Sequence, residues 1–418
     1  MKHSTYPIAP DYIKAFEQLG FGMFVHYGLY SALEKGEWAL NNLKLDPVEY
    51  ENMAQTFSPA PDSMAQIVSV AKSAGCNYIT LTTRHHEGFS LYDTCGLSNY
   101  DAIHAPCCKR DVVREFVDEC RKADIVPVLY HTTLDWHHPD FNNDFDAYLE
   151  YLYKSVEILC TRYGKIGGLW FDGNWSKPDA DWQEDRLYKM IHHYQPEAII
   201  VNNTGLHARG AFGNPEIDAV TYERGMAQPR DQAGRPKYVA GEMCETLNDH
   251  WAVSRDINFK PIKLLIEELC ACRKVGANFL LNVGPNADGH VPPMQKAIME
   301  CIGQWMNIYG TAIYNGRPYI AYDDRKDFVL KDVFDPKTAY LFQFDPTNSS
   351  GNKHVSLSFG GTETTVLDRF EEEVADIRWM DSDEPVPFQQ NGSELSVNYG
   401  GYPYGFTYCL RVAKVTLK

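Results

Sequence analysis

An aspartate closes the most suggestive stretch of this sequence. Residues 166–176, IGGLWFDGNWS, pass from two glycines through Leu169, Trp170 and Phe171 and stop at Asp172-Gly173. The apolar triplet has the composition of a short buried strand. A carboxylate at the carboxyl end of such a strand, followed by Gly and by Trp175, sits where parallel α/β folds assemble their chemistry. A bare Asp-Gly also makes a tight turn, so its companions decide the reading. The other strand-like runs of the first three quarters also end in polar or aromatic residues. FGMFV ends at His26, YITLTT runs into Arg84, His85 and His86, IVPVL into Tyr130 and His131, and AIIV into Asn202 and Asn203. One polar end is a turn; a ring of them is a pocket.

Collected at one mouth, the candidates are His26, Glu37, Trp38, His85, His86, Tyr130, His131, Asp172, Asn202, Glu223, Glu242 and Trp251. The set holds no Gly-rich phosphate cradle, Walker sequence or GxSxG elbow. Four histidines with Asp172 could ligate zinc, which makes a metal-dependent hydrolase one alternative. Adjacent His85 and His86 point to opposite sides of a regular strand, and neither HxH nor HExxH occurs. Glycoside hydrolysis suits the set better, because it needs two carboxyl groups flanking the bond, neutral hydroxyl-gripping groups and an aromatic platform. Asp172 then reads as nucleophile, and either Glu223 or Glu242 can serve as acid/base.

These side chains need a scaffold that brings strand ends together. The helical stretches include 111–123, with Val112, Val113, Phe116, Val117 and Cys120 on one face, 145–163, 181–194, 261–275 and about 293–308. They alternate with strand-like runs ending at Asn278–Val283, of which 217–223 and 237–242 are the weakest. About eight strands alternating with helices predict a (β/α)8-like barrel over residues 1–318, without visible helices after the fifth and sixth strands. From Phe328 onward only short alternating runs appear, such as Val355–Phe359 and Thr407–Val412, separated by turn residues. They predict a C-terminal all-β sandwich over residues 319–418.

Composition narrows the partners. The 418 residues carry a formal net charge of −17, which disfavours nucleic acid and anionic membranes, since both call for basic patches. A 13% aromatic content suits a protein that stacks sugar rings. No apolar run approaches a membrane span, and the N-terminus has no secretory pattern. Eleven scattered cysteines form neither CxxC nor a paired framework, so the expectation is reduced thiols in a cytoplasmic protein.

In order, FGMFVHYGLYS, GEW, TTRHHEGFSLYDT, KRDVVREFVDECRKADIVPVLYH, LDWHHPD, LWFDGNW, GEMCETLNDHW and NFLLNVGPNADG resemble the family 29 α-L-fucosidases over about residues 15–318. The resemblance implies a fucose pocket lined by His26, Glu37, Trp38, His85, His86 and Tyr130, with Trp251 packed on the sugar. It implies Asp172 as nucleophile and, from D-x-x-T-x-E at Asp218–Glu223, Glu223 as acid/base, with Glu242 as second choice. One departure stands out: many members carry Asn-Asp-Arg after the fifth strand, where this chain has Asn202-Asn203-Thr204, leaving Arg209 or Arg224 to supply the charge. The expectation is a retaining exo-glycosidase that releases terminal α-L-fucose from oligosaccharides or glycosides, without metal or organic cofactor. A non-catalytic fucose-binding protein on the same fold is the alternative from another class.

Overall fold

Eight of the short apolar runs pair, all parallel, into a closed barrel. A computed structural model describes residues 6–322, 326–344, 364–399 and 410–418. The barrel strands are β1 (Phe21–Val25), β2 (Tyr78–Arg84), β3 (Val126–Thr132), β4 (Gly168–Asp172), β5 (Ile199–Asn203), β6 (Ala219–Glu223), β7 (Ala240–Thr246) and β8 (Asn278–Val283), and β8 closes onto β1. Nearly every strand residue is buried, as a sheet covered on both faces requires. The two weakest sequence signals are both strands. The second starts and ends later than expected, at Ala240 and Thr246 rather than 237 and 242.

Alternation along these strands decides which side chains enter the barrel. Phe24, Tyr78, Tyr130, Trp170, Val201, Ala219, Ala240, Cys244 and Leu280 form one buried cluster, and their sequence neighbours face the helices. Gly22 makes room for this interior. It pairs with Tyr78, and a Cβ there would lie 2.4 Å from the tyrosine ring. The ring can thus cross β1 and carry its hydroxyl 2.6 Å from Glu242 Oε2.

The helices follow from amphipathic patterning and capping. Val112–Lys122 buries all five residues of its predicted face, and the Asp111 carboxylate accepts from the Arg114 N–H at 2.8 Å. Its last turn carries Arg121 and Lys122, which suits the helix dipole. Asp144 caps Phe145–Arg162 in the same way through the Ala147 N–H. No helix lies between β5 and β6 or between β6 and β7, as the sequence indicates. Pairing is thin only between β5 and β6, joined by the one register pair Val201↔Ala219, whereas β6 and β7 pair over five residues. The two loops that replace those helices border the mouth.

The chain divides into two compact units. One takes residues up to Lys260 with Asn278–Glu300; the other takes Pro261–Ala277 with Cys301 onward. Among the described residues, the second contains eight further strands: β9 (Gly316–Ile320), β10 (Phe328–Asp332), β11 (Thr338–Gln343), β12 (Thr364–Leu367), β13 (Val374–Trp379), β14 (Phe388–Asn391), β15 (Glu394–Asn398) and β16 (Arg411–Leu417). They pair antiparallel into sheets of order β13-β16-β11-β10-β9 and β12-β15-β14. Val329, Leu341 and Val415 of the first sheet share a core with Leu367, Leu395 and Val397 of the second. The predicted run Val355–Phe359, and Thr407–Cys409 of the last run, lie outside the described residues. No helix among the described residues is long and apolar enough to cross a membrane.

Candidate active site

At the carboxyl ends of β1–β7 lies a cavity of about 600 Å³. All nine predicted site residues line it: His26, Glu37, Trp38, His85, His86, Tyr130, Asp172, Glu223 and Trp251. Register explains much of the convergence. Asp172 pairs with Thr132 on one side and Asn203 on the other, so strand β4 delivers its carboxylate beside an amide. The next residue turns sharply. Gly173 has φ +121°, and a Cβ there would lie 2.4 Å from the Leu134 backbone nitrogen. Strand β2 stops at Arg84, which frees His85 and His86 from strand alternation. Both rings face the cavity with centroids 4.2 Å apart.

Three donors hold Asp172. Tyr130 Oη donates to Oδ2 at 3.2 Å, while Trp175 Nε1 at 2.8 Å and Asn203 Nδ2 at 3.2 Å donate to Oδ1. Asn203 Nδ2 also donates to Glu223 Oε2 at 2.8 Å. Its carbonyl oxygen accepts from Thr221 Oγ1 at 2.9 Å and from the Gly205 N–H at 3.1 Å, which sets the amide orientation. One NH2 group thus touches both carboxylates. Their bonded oxygens lie no more than 6.0 Å apart, the 2.8 and 3.2 Å bonds laid end to end.

Burial and the nearby Asp172 charge push the Glu223 carboxyl up to about 7, against the opposing pull of Asn203. Burial keeps the three histidines neutral: His85 and His86 fall to about 3, and His26 well below its ordinary value. Two of the tautomers follow from their partners. Asn282 spends its Nδ2 on the Trp251 carbonyl, so its Oδ1 accepts from His26 Nδ1–H at 2.7 Å. Thr132 Oγ1 donates to the Leu134 carbonyl and accepts from His86 Nδ1–H at 2.7 Å. In both rings Nε2 keeps its lone pair and can accept a hydroxyl proton. Glu37 is buried with its carboxyl raised, and Oε2 accepts from the Ala252 N–H at 3.0 Å. Trp38 stacks on Trp175 at 6.1 Å, and Trp251 lies 5.1 Å from the His26 ring. Neutral acceptors, flat apolar faces and a carboxyl pair make a site for a polyhydroxylated ring. Among the described residues, no three His, Cys, Asp or Glu side chains converge as metal ligands would.

Comparison with known proteins agrees with this chemistry. The α-L-fucosidase family model matches residues 8–311. The chain belongs to the α-L-fucosidase family. It is 29% identical over 343 residues to the tissue α-L-fucosidase of Bos taurus, covering 73% of this chain and 69% of the bovine one. Among solved structures it resembles α-L-fucosidase isoenzyme 1 from Paenibacillus thiaminolyticus, at 28% identity and TM-score 0.80 over 97% of this chain and 99% of that one. It also resembles a Lactobacillus casei α-L-fucosidase in complex with α-L-fucose product, at 26% identity and TM-score 0.62 over 71% of this chain and 98% of that one.

Within this α-L-fucosidase, three candidates gathered from strand ends lie elsewhere. His131 is the outward neighbour of Tyr130 and bonds Ser155 Oγ at 2.8 Å. Asn202 is the outward neighbour of Asn203 and donates to Glu184 at 2.9 Å and Tyr188 at 2.8 Å. Glu242 is not at a strand end, because β7 runs on to Thr246. It pairs with Thr221, one inward step beneath Glu223, and is absent from the cavity wall. Its oxygens accept from Tyr78 Oη at 2.6 Å and Trp170 Nε1 at 2.9 Å. Of the two arginines considered as substitutes for the missing charge at Thr204, Arg209 donates to the Glu223 backbone carbonyl and Arg224 lines the cavity. Sequence reading passed over Asn203 as a site residue and left Trp175 out of it. Its place beside Asp172 in the opening motif is the signal that could have found Trp175.

Proposed function

We propose that this enzyme hydrolyses terminal α-L-fucosides by double displacement, with Asp172 as nucleophile and Glu223 as acid/base. His26 and His86 accept protons from sugar hydroxyls, Glu37 is placed to bind a further one, and Trp38 and Trp251 cover apolar faces of the ring. Glu223, protonated near neutral pH, gives its proton to the glycosidic oxygen while an Asp172 oxygen attacks the anomeric carbon from the opposite side. The carbon–oxygen bond to the aglycone breaks, and a β-linked fucosyl ester forms on Asp172. Glu223, now ionised, takes a proton from water, whose oxygen attacks the α face and frees the Asp172 carboxylate. The product is α-L-fucose.

The observation that carries this reading is the Asn203 amide bonded to both carboxylates. It holds their bonded oxygens no more than 6.0 Å apart, short of the ~6.5–9.5 Å that admits an inverting water. The raised Glu223 carboxyl suits an acid working near neutrality. Proton NMR of the earliest product from an aryl α-L-fucoside tests it. The α anomer should appear first, and initial β anomer would overturn the pair.

A further inference from the structure

His26 and His86 each spend Nδ1 on a neighbour, Asn282 and Thr132. The Nδ1 of His85 is turned to Glu87. It is buried and has no hydrogen-bond partner among the described residues, and the same holds for Glu87 Oε2. The two atoms lie 3.6 Å apart on side chains only 3% and 1% exposed. That gap is just outside hydrogen-bond range, and a small turn of either side chain closes it. Burial removes the water that would otherwise satisfy each atom, so the stable arrangement is the one in which they bond to each other.

The local chain builds this approach. Strand β2 ends at Arg84, and the Gly88 N–H donates to the His85 carbonyl at 3.0 Å, closing a turn that brings Glu87 back behind the ring. Gly28 supplies the space, because a Cβ there would lie 2.9 Å from Glu87 Oε1. The His85 ring is held as well: it stacks on Tyr130 at 5.7 Å and meets Tyr30 edge-on at 5.4 Å. With Nδ1 facing Glu87, Nε2 is the nitrogen left for the cavity that His85 lines.

Burial lifts the Glu87 carboxyl to about 8, against its own backbone N–H, with Asp135 adding to the rise and Arg84 opposing it. Tyr30, Tyr50, Tyr100 and Tyr130, the phenols around it, are held neutral by burial. Burial likewise keeps His85 uncharged. Between a neutral carboxyl and a neutral imidazole, the carboxylic O–H is the stronger donor and the bare ring nitrogen the stronger acceptor.

We propose that Glu87 is the positioning residue of His85: its carboxyl O–H donates to Nδ1 and fixes the tautomer whose Nε2–H donates to a sugar hydroxyl oxygen, an inference resting on the reading of this cavity as the fucose site. The pocket then holds one donor ring beside two acceptors. His85 and His86 stand side by side at 4.2 Å, and a hydroxyl, donor and acceptor at once, uses both.

Two variants and a spectrum test this. Glu87→Gln keeps a neutral N–H donor toward Nδ1 and should leave kcat/KM for 4-nitrophenyl α-L-fucoside within about threefold of wild type, whereas Glu87→Leu, similar in size, should raise KM about tenfold with less effect on kcat. A loss as large in Glu87→Gln as in Glu87→Leu would mean an ionised Glu87 and overturn the tautomer. Wild-type kinetics in Glu87→Leu would overturn the positioning role. A measurement independent of either variant's folding is long-range proton–nitrogen NMR of the wild-type enzyme with labelled histidine. The His85 ring, assigned by its loss in His85→Asn, should show Nε2 protonated and Nδ1 bare; the reverse tautomer refutes the proposal. Failure of the Asp172 and Glu223 reading looks different, since it would appear in the anomer of the first product and leave this spectrum unchanged.

Discussion

Glu223 and Glu242 stand on adjacent strands, and both carboxyls are pushed up to about 7, yet their surroundings give them different work. Glu242 lies in the sealed interior, raised by burial and held by Tyr78 and Trp170. Glu223 lies one step nearer the mouth, raised by burial and then by the charge of Asp172. A near-neutral carboxyl is therefore no mark of an acid catalyst by itself. What distinguishes Glu223 is an opening onto a cavity and a second carboxylate to couple with. Glu242 instead fixes Trp170, whose ring stacks 5.5 Å from Tyr130, a donor to Asp172.

The contrast is tested most severely at Asp172. Asp172→Gly should lower kcat/KM about a thousandfold or more, ~4 kcal/mol of barrier, and retention of more than a tenth of the activity would sink the nucleophile assignment. The same variant removes the like charge facing Glu223, so carbon-13 NMR should show the Glu223 titration moving to lower pH with that of Glu242 unmoved.

Glu223→Ala comes next. Turnover of a natural oligosaccharide should drop by about 10²–10⁴, whereas formation of the intermediate from a good-leaving-group aryl fucoside should slow only mildly. Azide should rescue the variant and yield α-fucosyl azide, since the anion enters opposite the β-linked ester; isolation of the β anomer contradicts retention. Glu242→Gln should show no such leaving-group dependence. Its cost should be a fall in stability of about 1–3 kcal/mol, read by denaturant unfolding, from a buried donor left without its acceptor.

Trp251→Ala probes the wall rather than the carboxyl pair, and a competitive iminosugar should bind it about 1–3 kcal/mol more weakly. An unchanged inhibition constant removes Trp251 from the site.

The smallest effect expected is at Asn203, the bridge. Wild-type kcat/KM should decline as pH rises through about 7, because the free enzyme needs the Glu223 proton. The Asn203 bond favours the ionised form of Glu223, so Asn203→Ala should raise its pKa and carry the basic limb to higher pH, with about a tenfold loss of activity. A basic limb that stays in place would show that Asn203 does not couple the two groups.

The alternation of apolar runs and amphipathic helices, readable in the chain, determined the barrel, and strand-end composition determined which residue types meet at its mouth. The ordered motifs pointed to Asp172 and the eight residues around it, most of which lie within a few residues of their own strand end. Tertiary structure decided what depends on where strands stop and how they pair. A side chain reverses face at every residue of a strand, so Tyr130 enters the barrel while His131 leaves it, and Asn203 enters while Asn202 leaves. His85 and His86 share the cavity because β2 ends one residue earlier. Spacing in the chain left Glu223 and Glu242 both open, and the family resemblance alone preferred Glu223; their different surroundings belong to the tertiary structure. They turn on β7 running to Thr246 and on a register that sets Glu242 opposite Thr221, one step beneath the mouth.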